Sequence, residues 1–139
     1  MDKVNTGFIF ALAALVLWGF WGFLPKLTVG YIGPKSALVW EVVGSILVGV
    51  VVLVMLGFKP ETHPRGVLLG ILTGIFALLG ALAFLYAVRK SNVSVIVALT
   101  ALYPVVVILL SYFILHENIT IKQGVGMVFA LIALVLFSG

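Results

Sequence analysis

The sequence predicts an all-α membrane protein built as a bundle of five transmembrane helices. Two properties of its composition lead to this fold class: 64% of the 139 residues are hydrophobic, and only 9% are charged. Soluble domains carry about 25% charged residues, and a small domain buries too little of its surface to keep so apolar a chain away from water. The third observation is that the apolar residues form five continuous runs.

Each run approaches the length of a helix that crosses a bilayer, which needs about 20 mostly apolar residues. The separators between the runs are short and rich in polar residues, glycine and proline, as expected for helices that pack beside their neighbours in sequence. The chain is therefore predicted to form a single transmembrane domain over residues 1–139. The predicted helices cover residues 7–29, 36–57, 66–88, 93–115 and 121–138.

The composition also limits the chemistry that this chain offers. The formal net charge is +4, but the basic residues lie between apolar runs, where helix-flanking charges belong, so no nucleic acid is expected as a partner. With no cysteine and no ligand cluster, we predict neither a metal ion nor another cofactor. Phosphate-binding, dinucleotide-binding and catalytic-triad patterns are missing, so we do not expect an enzyme. The prediction is a multi-pass protein of the cell (inner or plasma) membrane.

The basic residues divide evenly between the two membrane faces, since five crossings place the termini on opposite sides. The positive-inside rule therefore favours neither orientation. One interpretation is that the chain inserts both ways and pairs as an antiparallel homodimer. The other is that a strong local signal decides, or that Lys26 belongs to a site and does not count. The two sets are Lys3, Lys59, Arg65 and Lys122 on one face, and Lys26, Lys35, Arg89 and Lys90 on the other.

The first helix carries two tryptophans, Trp18 and Trp21, near its middle and away from the interfacial belt where tryptophan usually anchors. Gly22 and Lys26 follow Trp18 at i+4 and i+8, so the three share a face. Pro25 removes a backbone donor and predicts a kink. Two interpretations stay open: this face lines a cavity, or it packs closely against another helix.

Glu41, which follows Trp40, lies inside the second helix. A charge at the helix centre costs about 2.5–3.5 kcal/mol on insertion scales, so an intramembrane carboxylate is by default a functional hypothesis. Lys26 approaches the same face of the membrane from the preceding helix. Three interpretations compete: Glu41 couples transport to protons, it binds a cationic substrate, or it forms a structural ion pair with Lys26.

Pro104 lies at the centre of the fourth helix and predicts a kinked or broken helix, a common device in transporters. It frees the carbonyl of Thr100, which Tyr103 would satisfy unless Tyr103 faces a ligand.

In the third helix, Gly66, Gly70 and Gly74 form an i+4 stripe, for which close helix packing is the favoured interpretation. Tyr86, one turn before Lys90, is either an interfacial aromatic or a site residue.

The second half of the chain resembles the closing half of an EamA-like domain of the drug/metabolite transporter superfamily. The resemblance lies in VIVALTALYPVV at 95–106, LLS at 109–111, LHENIT at 115–120 and QGVG at 123–126. Trp18-Gly19, with Lys26 after it, also resembles the family. Most members carry two such domains in tandem, ten helices in all.

The resemblance implies a secondary transporter of small metabolites or drugs with a cavity lined mainly by helices one to four. It implies a structural role for Glu117. Many members have a basic residue where Glu41 stands, so this chain departs from the family there.

Alternating access usually needs two repeats in inverted topology, so we expect this chain to be half of a ten-helix inverted-repeat transporter that works as an antiparallel homodimer. The alternatives are a non-transporting subunit that packs with a partner chain and a flippase for lipid-linked substrates. The expected partners are a small-molecule substrate, the lipid bilayer and a second copy. The predicted substrate path comprises Trp18, Trp21, Lys26, Trp40, Glu41, Tyr86 and Tyr103.

Overall fold

The computed structural model describes residues 3–138, and all regular secondary structure in that range is helical. Every apolar run predicted from the sequence is helical, but the fourth is divided into two helices. The helices are α1 (Lys3–Tyr31), α2 (Pro34–Met55), α3 (Pro64–Lys90), α4 (Val93–Thr100), α5 (Tyr103–Ile114) and α6 (Ile121–Ser138).

Four helical stretches are long and apolar enough to cross a membrane, and the fifth described stretch, Ile121–Ala133, is apolar but shorter. The protein is thus an all-helical membrane protein with five apolar helical segments. By length and composition, spanning is supported for Thr6–Tyr31, Pro34–Met55, Pro64–Lys90 and Val93–Ile114.

The chain divides into two compact units, Met1–Lys90 and Ser91–Gly139. In the first unit, α3 packs against both α1 and α2. Its buried apolar side chains come from the end of α1, the beginning of α2 and the end of α3. On α3 they follow the i, i+3, i+4, i+7 spacing of one helix face. The buried set is Val29, Ala37, Ala81, Phe84, Leu85 and Val88.

The turn between α1 and α2 is tight because Pro34 begins α2. Proline is suited to the first helical position, where its missing N–H has no helical partner anyway. The Ala37 amide donates to the Gly33 carbonyl at 2.9 Å, which closes the first turn of α2. A β-carbon on Gly33 would lie 3.5 Å from Arg89 Nη1, so the end of α3 lies against this turn.

The break in the fourth apolar run falls at Ala101 and Leu102. Pro104 is the second residue of α5, where a helix tolerates proline because the first amides lack helical acceptors. The Thr100 hydroxyl turns back and donates to the carbonyls of Ile96 at 2.9 Å and Val97 at 3.1 Å. Such back-bonding competes with the regular ladder at the end of α4.

The second unit also contains a well-defined start to α6. The amide of Thr120 donates to Gln123 Oε1 at 2.8 Å, and the amide of Gln123 donates to Thr120 Oγ1 at 3.3 Å. This reciprocal arrangement is a capping box, which satisfies two amides that the first turn leaves without partners. Before it, His116 has a φ of 56° and turns the chain so that the Glu117 amide donates to the Ser111 carbonyl at 3.2 Å.

Candidate functional site

A cleft of about 270 Å³ opens within the first unit and is lined by residues of α1, α2 and α3. Its size lies just below the range of about 300–1,000 Å³ that is typical of ligand pockets. The lining combines aromatic side chains with one carboxylate. Its members are Trp21, Leu24, Pro25, Thr28, Ala37, Trp40, Glu41 and Leu85.

Helical periodicity explains why these residues meet. On α1, Trp21, Leu24, Pro25 and Thr28 stand at i, i+3, i+4 and i+7, which is one face of a helix. On α2, Ala37, Trp40 and Glu41 stand at i, i+3 and i+4, so they too share a face. Because α1 and α2 are joined by a tight turn, these two faces come together at the same end of the unit.

Glu41 is the acidic residue of this cleft. Its Oε2 atom is buried and has no hydrogen-bond partner among the described residues. Trp21, whose indole N–H is a hydrogen-bond donor, lines the same cleft. A buried polar atom that lacks a partner is uncommon and calls for an explanation such as a bound water, ion or ligand.

Lys26 lies within the cleft-lining stretch of α1 but is not one of the lining residues, and its ammonium donates to the backbone carbonyl oxygen of Val88 at 2.7 Å. Val88 is in the last turn of α3, where carbonyls lack helical donors, and a cation near a helix C-terminus is favoured by the helix dipole. The expected pairing of Lys26 with Glu41 does not extend to Oε2, which is unpartnered among the described residues.

The Trp21 ring packs against the Phe84 ring of α3. The two rings stack with centroids 5.4 Å apart and an interplanar angle of 27°. Phe84 is buried, whereas Trp40 on the other side of the cleft is largely exposed. Trp21 is therefore the better fixed of the two indoles that line the cleft.

Other predicted site residues lie outside this lining. Trp18 is 61% exposed and Tyr86 is 41% exposed, and neither lines the cleft. Tyr103 belongs to the second unit and is 55% exposed. Their assignment to the substrate path stays a prediction.

The kink predicted at Pro25 and the close packing predicted for the glycine stripe stay predictions. α1 continues through Pro25, which is buried, without a break in its helical assignment. A β-carbon on Gly70 or Gly74 would meet nothing within 4 Å among the described residues, and one on Gly66 would meet only the His63 β-carbon at 3.9 Å. The described part of this chain thus supplies no helix that packs closely on the stripe.

The sequence alone does not identify several residues that build the site. Phe84, Leu85 and Val88 support or line it from α3, and Thr28 and Ala37 lie on its walls. Their helical spacing is visible in the sequence, since 81, 84, 85 and 88 form one face. Nothing in the sequence says that this face meets Trp21 and Lys26, because that requires the packing of three separate helices.

The second unit contains a much smaller cavity of about 50 Å³, lined by residues that include Ser111, Glu117 and Gln123. This volume suits one or two waters, since a water occupies about 30 Å³ in the liquid. Among the residues that the structure describes, no group of three histidine or acidic side chains could hold a metal ion.

The fold and the cleft define a class of protein: a multi-pass helical membrane protein with an aromatic and acidic cleft in its membrane-spanning part. The model of the EamA-like transporter family matches residues 5–139, and the chain belongs to that family. Proteins of this family are membrane transporters of small molecules. No solved structure matches the chain.

Two relatives illustrate how the matched region occurs elsewhere. An uncharacterized protein of Methanocaldococcus jannaschii, MJ1333.1, is 26% identical over 138 residues, which is 97% of this chain and 98% of that protein. The uncharacterized transporter YyaM of Bacillus subtilis is 31% identical over 115 residues, which is 81% of this chain but 38% of that protein. The match therefore spans nearly all of one relative and well under half of the other.

Proposed function

We propose that this protein is a secondary transporter that moves small metabolites or drugs across the cell membrane by alternating access. The observation that carries the proposal is the cleft carboxylate. Glu41 lies within a membrane-spanning helix, faces two indoles and keeps one buried oxygen without a hydrogen-bond partner among the described residues. Ionisable groups in membrane segments are costly and mark substrate or proton pathways.

The proposed working unit is an antiparallel homodimer. Alternating access commonly rests on two structural repeats related by inverted topology, and one copy of this chain supplies one repeat. Two copies inserted in opposite directions would supply both. The basic residues, four on each predicted face, suit a chain that inserts either way. The YyaM match supports the same reasoning, because more than half of that longer transporter lies outside it.

The proposed role of Glu41 is to bind a proton and the substrate in alternation. A carboxylate that loses its proton on one side of the membrane and regains it on the other couples solute movement to the proton gradient. Trp21, held by Phe84, and Trp40 form the walls against which the solute rests while the carboxylate changes its occupant.

The test uses purified protein in proteoliposomes that contain a pH-sensitive dye. A panel of small amines, amino acids and sugars is added outside, and substrate-dependent proton movement is recorded. We expect at least one compound to drive proton flux with the native protein and none to do so with Glu41→Gln. Glu61→Gln is the matched control, since Glu61 is an exposed carboxylate between α2 and α3.

The outcomes separate the alternatives. Equal flux with the native protein and Glu41→Gln would contradict the coupling role of Glu41. If neither the native protein nor Glu41→Gln shows proton flux, although both are folded and pure, the result would favour a non-transporting subunit. A panel of fluorescent lipids in the same vesicles distinguishes the flippase, which would move lipid between leaflets without moving soluble compounds.

A further inference from the structure

We infer that the cleft of the first unit binds a small organic cation with an aromatic or apolar body. This inference rests on the proposed transport function and specifies the substrate class of the same site. It follows from the chemistry of the cleft walls, which offer a carboxylate, a hydroxyl oxygen and two indole rings on an otherwise apolar surface.

The cleft offers hydrogen-bond acceptors to a ligand. Glu41 presents a carboxylate oxygen that has no hydrogen-bond partner among the described residues. The Thr28 hydroxyl donates its hydrogen to the Leu24 carbonyl at 3.1 Å, which leaves only oxygen lone pairs for a ligand. Pro25 has no N–H, so the carbonyl of Trp21 lacks its helical donor. A ligand that donates hydrogen bonds or carries positive charge complements the Glu41 carboxylate and the Thr28 hydroxyl oxygen.

The two indoles of the cleft favour a positively charged ligand. A cation over the face of tryptophan is attracted by the negative charge of the ring face, and tryptophan is the strongest of the aromatic side chains in this respect. Trp21 and Trp40 line the cleft from different helices, with Glu41 beside Trp40 in the chain. An aromatic wall with a carboxylate is the arrangement that proteins use to hold ammonium groups.

The cleft lining has no cationic side chain among the described residues. A site for an anion or a zwitterion would need a positive group on its wall. Lys26 is not among the residues that line the cleft, and its ammonium donates to the Val88 carbonyl. The cleft lining therefore carries a negative group and no positive one.

The volume of the cleft narrows the class of ligand further. A cleft of about 270 Å³ lies just below the usual range of ligand pockets, so it suits a compact amine or quaternary ammonium rather than a large drug. Apolar lining from Leu24, Pro25 and Leu85 matches an aromatic or alkyl body beside the charged head.

The test compares four probes with the same phenyl body: 2-phenylethylammonium, 2-phenylethanol, phenylacetate and phenylalanine. Binding to purified detergent-solubilised protein is measured at neutral pH by calorimetry and by tryptophan fluorescence. We expect 2-phenylethylammonium to bind at least about tenfold more tightly than the other three. Equal or tighter binding of phenylacetate, phenylethanol or phenylalanine would overturn the inference.

Substitutions of cleft residues test whether 2-phenylethylammonium binds in this cleft. Glu41→Gln is expected to weaken binding of 2-phenylethylammonium by at least about tenfold, whereas Glu61→Gln leaves it unchanged. If Glu41→Gln does not fold, Trp40→Leu serves instead, with Phe76→Leu as its control because Phe76 is an exposed aromatic residue that does not line the cleft. Binding that survives in a folded Glu41→Gln or Trp40→Leu variant would contradict the inference.

The binding assay tests the cation assignment and the transport assay tests the proposed function, so either claim can fail while the other stands. Uptake of another solute without binding of the ammonium probe would overturn the cation assignment and leave transport intact. Binding of the probe without transport of any compound would contradict the proposed function and support only a cation-binding membrane protein.

Discussion

The ammonium of Lys26 in α1 lies 2.7 Å from the backbone carbonyl oxygen of Val88 in α3. This contact joins two helices that are far apart in sequence and satisfies a carbonyl in the last turn of α3. Val88 itself is fully buried, so the lysine directs its charge into the packed end of the unit. A residue that the sequence suggested for the substrate path thus also holds the helices that form the cleft.

Replacing Lys26 with methionine removes the ammonium but keeps most of the apolar stem. A hydrogen bond from a charged donor contributes about 1.5–3 kcal/mol, so we expect the free energy of unfolding to fall by that amount. Reversible denaturation in detergent, followed by circular dichroism, measures it. Lys35→Met is the control because Lys35 is exposed at the start of α2. Equal stability of the Lys26→Met and native proteins would contradict a structural role for this contact.

Phe84→Ala should destabilise the first unit by about 3 kcal/mol, because Phe84 is a buried aromatic side chain and its removal leaves a cavity. It also removes the ring that stacks on Trp21, so tryptophan fluorescence should change. Phe76→Ala is the matched control on the same helix, since Phe76 is 70% exposed. A similar loss of stability in both variants would show that burial at this end does not determine stability.

Much of the fold could be predicted from the sequence because lipid imposes a simple pattern. The five apolar runs predict five helical segments, and Pro104 predicts the place where the fourth is interrupted. Helix ends differ from the prediction by a few residues, since polar residues such as Lys3 and Lys90 continue the helical hydrogen bonding beyond the apolar run.

The site was less predictable. Trp21, Trp40 and Glu41 stand out because polar and bulky aromatic residues are unusual at such positions. The role of the Val88 carbonyl as the acceptor for Lys26 could not be predicted, because every residue has a backbone carbonyl and the sequence does not distinguish one from another. The suggested pairing of Lys26 with Glu41 stays a prediction, because similar depth in the membrane does not say which way each helix face turns.

Thr120→Ala removes the hydroxyl that accepts from the Gln123 amide at the start of α6. Loss of a capping side chain costs about 1 kcal/mol, which corresponds to roughly fivefold faster amide exchange in the first turn. Hydrogen exchange at residues 121–124 measures this rate. Thr62→Ala, in the exposed connection between α2 and α3, should leave exchange there unchanged. Unaltered exchange in Thr120→Ala would mean that the capping box does not stabilise this helix.

Charge removal tests the proposed dual insertion. Replacing Lys35 and Lys90 with glutamine leaves two of the four basic residues on that predicted face, and replacing Lys59 and Arg65 leaves two on the other. The positive-inside rule then favours opposite orientations for the two variants. Each variant alone should lose transport, and co-expression should restore it. Full transport by either variant alone would argue against an obligatory antiparallel pair.

The central claim is that two oppositely inserted copies form one transporter, and site-directed labelling tests it most directly. The chain contains no cysteine, so a single cysteine placed at either terminus is the sole labelling site. Membrane-impermeant maleimide is added to intact cells, where it reaches the outer face only. In a parallel sample the outer sites are blocked first, and the maleimide is added after the cells are opened to expose the inner face. The proposal predicts that each terminus reacts in about equal amounts from both sides. Labelling of each terminus from one side only would contradict it.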